Sequence, residues 1–215
     1  MFRWSKLHSI DLYKMFNSAE YWEKRYKTGG NSGCGSYNAL AMFKAEVINT
    51  CIKDFAIRSI IDYGVGDGNQ LQLLNTEDLQ YYGLDVSTTI IDRCKALFPT
   101  KSFSLVSEFE GQNADLTISC DVLYHLIEDS VYYEYLNRLF NTSNKYVIVY
   151  ARNENRNHAP HVKFRHFTDY IATAFPQFSL MQHIPNKYPQ IIIGQNNDST
   201  SPSDFYIYCK VLETL

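Results

Sequence analysis

A single-domain α/β fold built from βαβ units is what this sequence predicts, and three observations carry that expectation. The stretch Ser59 to Asp85, SIIDYGVGDGNQLQLLNTEDLQYYGLD, reads in order as a short apolar strand, a glycine-rich turn, a helix, a second strand and an acid. Downstream, short β-type runs alternate with segments whose apolar residues recur at helical spacing, as in a sheet joined by crossover helices. With 215 residues, 45% of them apolar, the chain can bury one substantial core but falls short of two ordinary domains.

The glycine turn is the most informative element. Gly64, Gly66 and Gly68 leave no Cβ in the way, so a ligand can approach the backbone closely. Leu71, Leu73 and Leu74 suggest a short buried helix, and Tyr81 to Leu84 a strand that ends at Asp85, 21 positions after Gly64. A carboxylate at that distance sits at the tip of the second strand, where it can accept both hydroxyls of a ribose. The dinucleotide fingerprint needs glycine at the sixth position, which here is Asn69 counted from Gly64 and Leu71 counted from Gly66. NAD and FAD are therefore disfavoured.

The remaining elements follow in chain order. Residues Asp11 to Lys27 carry Leu12, Met15, Phe16, Tyr21, Trp22 and Tyr26 in a helix-compatible pattern, and lead into a loop with Gly29, Gly30, Gly33 and Gly35. Ser36 is placed to cap the next helix, whose apolar face is Leu40, Phe43, Val47, Ile48 and Ile52. Beyond Asp85, Ser87 caps a helix carrying Ile90, Ile91, Cys94, Leu97 and Phe98, with Pro99 as its stop. Lys101 to Val106 reads as a third strand, Ala114 to Ser119 as a fourth and Lys145 to Tyr150 as a fifth. Between the last two, Glu128 and Asp129 open a helix striped by Val131, Tyr132, Tyr135, Leu136, Leu139 and Phe140.

After the fifth strand Arg152, Arg156, His158, His161, Lys163, Arg165 and His166 crowd together, with Glu154 the only acid among them. Such a run suits a phosphate or carboxylate at the edge where a substrate enters. Phe167 to Phe175 reads as a helix, Gln177 to Ile184 and Phe205 to Leu212 as closing strands, and Ile191 to Ile193 as an extension of the first of these or a short strand of its own.

The series Asp62-x-Gly64-x-Gly66-x-Gly68 followed by Asp85 resembles motifs I and II of the class I S-adenosylmethionine-dependent methyltransferases. Asp121-Val122-Leu123-Tyr124-His125 resembles their motif IV, in the acid-apolar-apolar-x-His form of many small-molecule enzymes. The Asp/Asn-Pro-Pro-aromatic tetrapeptide of DNA-base enzymes occurs nowhere in the chain. The segment from Tyr21 to Ser36 is similar to a lid that, in a subgroup of small members, folds over the methionine end of the cofactor.

This resemblance implies a Rossmann-like seven-stranded, mostly parallel sheet in the order 3-2-1-4-5-7-6 with helices on both faces. It implies S-adenosylmethionine as cofactor and S-adenosylhomocysteine as product. Residues 1–45 would form the lid and 46–215 the core, with an acceptor loop at 151–166. Cofactor contacts would come from Tyr26, Gly33, Gly35 and Ser36 in the lid, with Arg25 pairing the cofactor carboxylate, and from Asp62, Gly64, Gly66, Gly68 and Asp85 in the core. Val86 would lie under the adenine, Glu108 or Phe109 beside it, and Cys120 and Asp121 near the reacting end. His125 is the first candidate for a general base, followed by His161 and His158, because an unperturbed imidazole titrates near neutrality. Tyr124, Arg156, His158 and Arg165 would line the acceptor side.

Composition sets further bounds. A net charge of −3 offers no general attraction for nucleic acid, which is disfavoured as a partner unless the basic run supplies a patch for RNA. The five cysteines are scattered with no Cys-x-x-Cys pair, which argues against a disulfide framework or a metal site and fits a reducing, cytoplasmic setting. No apolar run is long enough to span a membrane. The 17 Tyr and 13 Phe read chiefly as core. The expected partner is a small, anionic acceptor methylated on oxygen in preference to nitrogen, and the expected assembly a monomer or homodimer. The competing expectations are an S-adenosylmethionine-binding module without turnover, and an RNA or tRNA methyltransferase.

Overall fold

The computed structural model describes residues 16–190 and 199–211. A seven-stranded sheet runs in the order β3-β2-β1-β4-β5-β9-β8. Its strands are β1 (Ser59–Tyr63), β2 (Gln80–Asp85), β3 (Ser102–Leu105), β4 (Ala114–Cys120), β5 (Ser143–Ala151), β8 (Phe178–Ile184) and β9 (Asp204–Lys210). The first five pair in parallel and the last two are antiparallel. Counting only these seven strands, the order is the 3-2-1-4-5-7-6 implied by the resemblance. The labels β6 (Arg156–Ala159) and β7 (Val162–Phe164) belong to a separate two-stranded hairpin, which the sequence had suggested only as a loop.

Both sheet faces are covered, as a parallel sheet requires. Neighbouring residues of β1 show it: Ile60 packs with α2 (Asn38–Asp54) and α3 (Thr88–Leu97), and Ile61 with α4 (Asp129–Asn141) and α5 (Phe167–Ala174). Among the described residues many aromatic side chains are core, with Tyr63, Tyr132, Tyr150, Phe140, Phe167 and Phe205 among the largest fully buried groups.

Several local expectations change. The first helix, α1 (Ser18–Lys27), starts at an Asn17 cap that accepts from the Glu20 amide; the earlier part of the expected helix lies outside the described residues, as does Ile191 to Ile193. Ser36 does not cap α2. It ends a 3₁₀ turn at Cys34–Ser36, and extended Tyr37 takes the cap position without a side-chain bond. The short helix expected at Leu71 to Leu74 is a single 3₁₀ turn, Leu71–Leu73. Ser87 does cap α3, accepting from the Ile90 amide at 3.2 Å.

Candidate active site

Parallel register brings the ends of β1 and β2 together. Tyr63 pairs with Leu84, so the chain after β1 turns over the Leu84 carbonyl, which accepts from the amides of Gly64 (2.7 Å) and Val65 (3.0 Å). Asp85 comes next on β2, and its Oδ2 accepts from the Gly66 amide at 3.1 Å while Oδ1 accepts from Ser87 at 3.0 Å. Gly66 and Asp85 line one cavity of about 430 Å³, within the range of small-molecule sites. The Gly66 and Ser87 amides bond the carboxylate with the Val86 amide beside them, and lone pairs remain for a ligand's hydroxyls. Burial pushes its carboxyl up to about 6 against the pull of the Ser87 and Gly66 amides. Asp62, also lining the cavity, is likewise raised to about 6 by burial, although the Tyr81 hydroxyl donates to it at 2.6 Å.

The three turn glycines all have positive φ, at 94°, 57° and 79°. Their bare Cα atoms make room for protein neighbours: a Cβ on Gly64 would strike Val122, one on Gly66 the Ser32 hydroxyl, and one on Gly68 the Phe98 ring. Gly68 is not among the cavity-lining residues. The glycines thus serve conformation and close packing, and Gly64 and Gly66 also line the cavity.

The glycine-rich segment and α1 dock onto this turn. Ser32 and Asp67 exchange bonds, the Ser32 amide donating to Asp67 Oδ2 and the Asp67 amide to Ser32 Oγ, both at 2.9 Å. The Tyr37 hydroxyl donates to the same carboxylate at 2.6 Å. Glu23 of α1 reaches the N-terminus of α3, accepting from the hydroxyls of Ser87 and Thr89 at 2.6 and 2.8 Å. At the other end of α1 the Ser18 hydroxyl lies between the His125 carbonyl and the Glu128 carboxylate, at 2.9 and 2.5 Å.

Across the cavity, Asp121 adopts a left-handed φ of 60° at the end of β4, a conformation aspartate tolerates better than most residues. The Lys44 ammonium bonds its Oδ2 at 2.7 Å, and the Tyr124 hydroxyl donates to its Oδ1 at 2.8 Å. Lys44 is 1% exposed yet lines the cavity. Burial opposes its charge, but the adjoining Asp121 prevails and keeps the ammonium firmly protonated. Nearby, Gln70 donates to the Ala41 carbonyl at 3.1 Å while its buried Oε1 has no partner in the protein.

His125 lines the cavity in a 3₁₀ turn, Leu123–His125, that follows Asp121. Its Nδ1 lies 3.0 Å from the His161 carbonyl, which can only accept, so Nδ1 carries the proton and Nε2 the lone pair. Burial lowers its pKa to about 4, so the ring is neutral near pH 7. Trp22 meets it edge-on at 4.9 Å, and the His161 ring lies parallel at 6.0 Å.

The basic run is largely committed to protein partners. Asp129 accepts from Lys163 at 2.8 Å and from Arg165 at 2.7 Å. Glu154 faces Arg152 at 2.7 Å and Arg156 at 3.3 Å, and His166 sits 2.9 Å from Asp169. Arg165 also donates to two main-chain carbonyls, those of Leu126 and Ile127.

Of the sequence candidates, the cavity gathers Tyr26, Ser36, Asp62, Gly64, Gly66, Asp85 and Val86, with Cys120, Asp121 and His125. Gly33, Gly35 and Gly68 are outside its lining, Gly35 packing instead against Asp121. Glu108 is exposed and Phe109 packs on Tyr82; Val106 and Ser107 take the wall expected of them. Arg25 donates to the Asn31 carbonyl at 2.7 Å. Tyr124, His161, Arg156, His158 and Arg165 are not in its lining. Lys44, Gln70 and Trp22 were missed. Lys44 had a signal, a lone charge between Leu40 and Ile48 on an otherwise apolar helix face; the other two had none.

Residues 61–148 match the family model described as "Methyltransferase domain". No curated protein matches the chain in sequence. Among solved structures, N-methyltransferase NodS from Bradyrhizobium japonicum WM9 with S-adenosyl-L-homocysteine is similar at TM-score 0.69 and 13% identity, over 91% of this chain and 99% of that one. A 1,6-didemethyltoxoflavin-N1-methyltransferase from Burkholderia thailandensis gives 0.63 and 14%, over 91% and 87%. Magnesium protoporphyrin IX methyltransferase ChlM from Synechocystis PCC 6803, with bound SAM, gives 0.61 and 11%, over 91% and 98%. At these identities the likenesses establish the fold. Among the described residues no helix is long and apolar enough to cross a membrane, and no cluster of three or more His, Cys, Asp or Glu could hold a metal ion.

Proposed function

We propose that this chain is a class I S-adenosylmethionine-dependent methyltransferase of the small-molecule type that methylates a hydroxyl on its acceptor, with His125 receiving the hydroxyl's hydrogen bond. The cavity suits the cofactor chemically. Asp62, Asp67, Asp85, Asp121, Glu128 and Glu134 face only Lys44 and Arg138 as formal cations, which favours a ligand bearing a sulfonium and an ammonium. Asp85 would hold the ribose, and Val86, Val106 and Val131 would enclose the base. Lys44 would meet the carboxylate at the amino-acid end, while Asp121 and the unpartnered Gln70 Oε1 accept from its ammonium.

When bound, the cofactor supplies an electrophilic methyl on sulfur; the protein's part is to align a nucleophile with it and exclude water. The docked α1 covers the cavity for the second task. For the first, the observation that carries the reading is the fixed tautomer of His125, whose only free ring nitrogen is an acceptor. A neutral ring with a pKa near 4 is a weak base. It orients the hydroxyl, and takes its proton as positive charge leaves the sulfur and builds on the acceptor oxygen during transfer.

An anionic acceptor would have to compete with Asp129 and Glu154 for the cations Lys163, Arg165, Arg152 and Arg156. The test is transfer of labelled methyl from S-adenosylmethionine to panels of neutral and phosphorylated hydroxyl compounds and of amines. His125→Gln should retain affinity for S-adenosylhomocysteine and lose at least about a hundredfold in turnover with hydroxyl acceptors. Turnover confined to amines, or indifferent to the substitution, would refute the hydroxyl assignment.

A further inference from the structure

Arg165 does more than join an ion pair. It follows β7 directly and is 10% exposed, and its guanidinium is used on all sides. Nη1 donates to the Leu126 carbonyl at 2.8 Å, Nη2 to the Ile127 carbonyl at 2.9 Å, and Nη2 and Nε to Asp129 Oδ1 at 2.7 and 3.2 Å. The cation also lies 4.1 Å from the centre of the Tyr132 ring. These acceptors are the residues that immediately follow His125. The hairpin that carries Arg165 turns through Pro160 and His161 between Ala159 and Val162, and the His161 carbonyl at that tip is the partner of His125 Nδ1.

One rigid unit thus grips the same short segment twice, once at the backbone after His125 and once at its ring. Without the fork, the hairpin tip would no longer have a fixed distance from the imidazole. The second hold on this segment, Ser18 between the His125 carbonyl and Glu128, acts on the main chain and leaves the ring free to choose its tautomer.

We propose that Arg165 is a positioning residue that, by tying the β6–β7 hairpin to the turn after His125, keeps the His161 carbonyl on His125 Nδ1 and so the acceptor nitrogen of His125 free for the substrate. The sequence pointed to Arg165 as a substrate contact; its bonds point inward, to the chain. A planar guanidinium is required, because a lysine ammonium can hold Asp129 but cannot span two carbonyls and a carboxylate together.

This proposal rests on the role given to His125 above, but its test needs no acceptor and no methyl transfer. Long-range proton–nitrogen correlation NMR of the imidazoles reads the tautomer directly, with the His125 signals assigned by their absence in His125→Gln. The intact protein saturated with S-adenosylhomocysteine should show His125 as a single Nδ1–H form. In Arg165→Lys the ratio of Nδ1–H to Nε2–H should fall about threefold to tenfold, the equilibrium worth of one net hydrogen bond. Arg165→Ala should fall at least as far. Lys163→Ala, which removes a partner of the same Asp129 and spares the fork, should leave the ratio unchanged. Retained affinity for S-adenosylhomocysteine certifies the fold of each variant; if the alanine protein loses it, the lysine variant decides. A wild-type tautomer in a folded Arg165→Lys protein would overturn the proposal, as would an equal loss in Lys163→Ala. Methyl transfer from a protein with an unaltered tautomer would leave the hydroxyl reading standing while the positioning role fell.

Discussion

The shoulder formed by the glycine turn and Asp85 and the hairpin bearing the basic run looked alike in sequence, as two dense groups of functional residue types. In the fold they behave differently. Asp85 takes backbone amides alone as its partners and keeps capacity toward the cavity. The basic run's side chains spend themselves on Asp129, Glu154 and Asp169, and Arg165 on main-chain carbonyls as well. A residue type announces chemistry only when its hydrogen-bonding capacity remains unspent, and that depends on partners distant in sequence.

The strongest way to break this contrast is at Asp85. Two hydroxyl bonds to a buried carboxylate are worth roughly 1.5 to 3 kcal/mol each, so Asp85→Ala should weaken S-adenosylhomocysteine by about two to four orders of magnitude in a calorimetric titration. Adenosine, which keeps the ribose, should weaken in parallel. Equal affinity in both proteins would remove Asp85 from the ribose. A smaller effect is expected at Lys44, the one cavity cation whose ammonium holds a single protein carboxylate and retains further donors. Lys44→Met should weaken S-adenosylhomocysteine about thirtyfold. It should leave 5′-methylthioadenosine, which lacks the amino-acid end, within about twofold. Parallel losses would mean that the substitution merely disturbs the cavity wall.

How far each region was legible follows from where its partners lie. The β1–turn–β2 unit is local: Gly66 and Asp85 are brought together by the parallel register of two adjacent strands, and their spacing alone carried the expectation. Ser87 was readable as a cap for the same reason, because its partner is three residues away. Ser36 was misjudged because a 3₁₀ turn consumes it before α2 begins. Glu108 and Phe109 missed the cavity wall by two residues, since β3 ends in a 3₁₀ turn at Val106–Glu108 that turns the later side chains away. The basic run's commitment to Asp129 spans more than thirty positions, and Ser18 with Glu128 spans 110; composition holds no trace of either. His125 was found by its place in the motif, whereas its tautomer depends on a carbonyl 36 positions away.

The smallest expected effect separates the two regions by pH. Burial raises both Asp62 and Asp85 from an ordinary 3.8 to about 6, and lowers His125 from 6.5 to about 4. The raised carboxyls contribute stability to the unliganded fold that is fully present below their unfolded values and is lost as pH rises through about 6. His125 has the opposite sign: its contribution is full above 6.5 and is lost as pH falls through about 4. Two groups oppose one, so acidification from about pH 7 to about pH 5 should raise the contribution of this site to the melting temperature. Ribose hydroxyls, however, need Asp85 as a carboxylate. Affinity for S-adenosylhomocysteine should therefore fall by up to about tenfold over the same interval, and the ligand-induced rise in melting temperature should shrink. The Asp85→Asn protein should bind weakly and without that pH slope. A ligand-induced shift that stays constant across the interval would show that the ionisation of Asp85 plays no part in holding the nucleoside, and would make the cavity shoulder as self-contained as the hairpin.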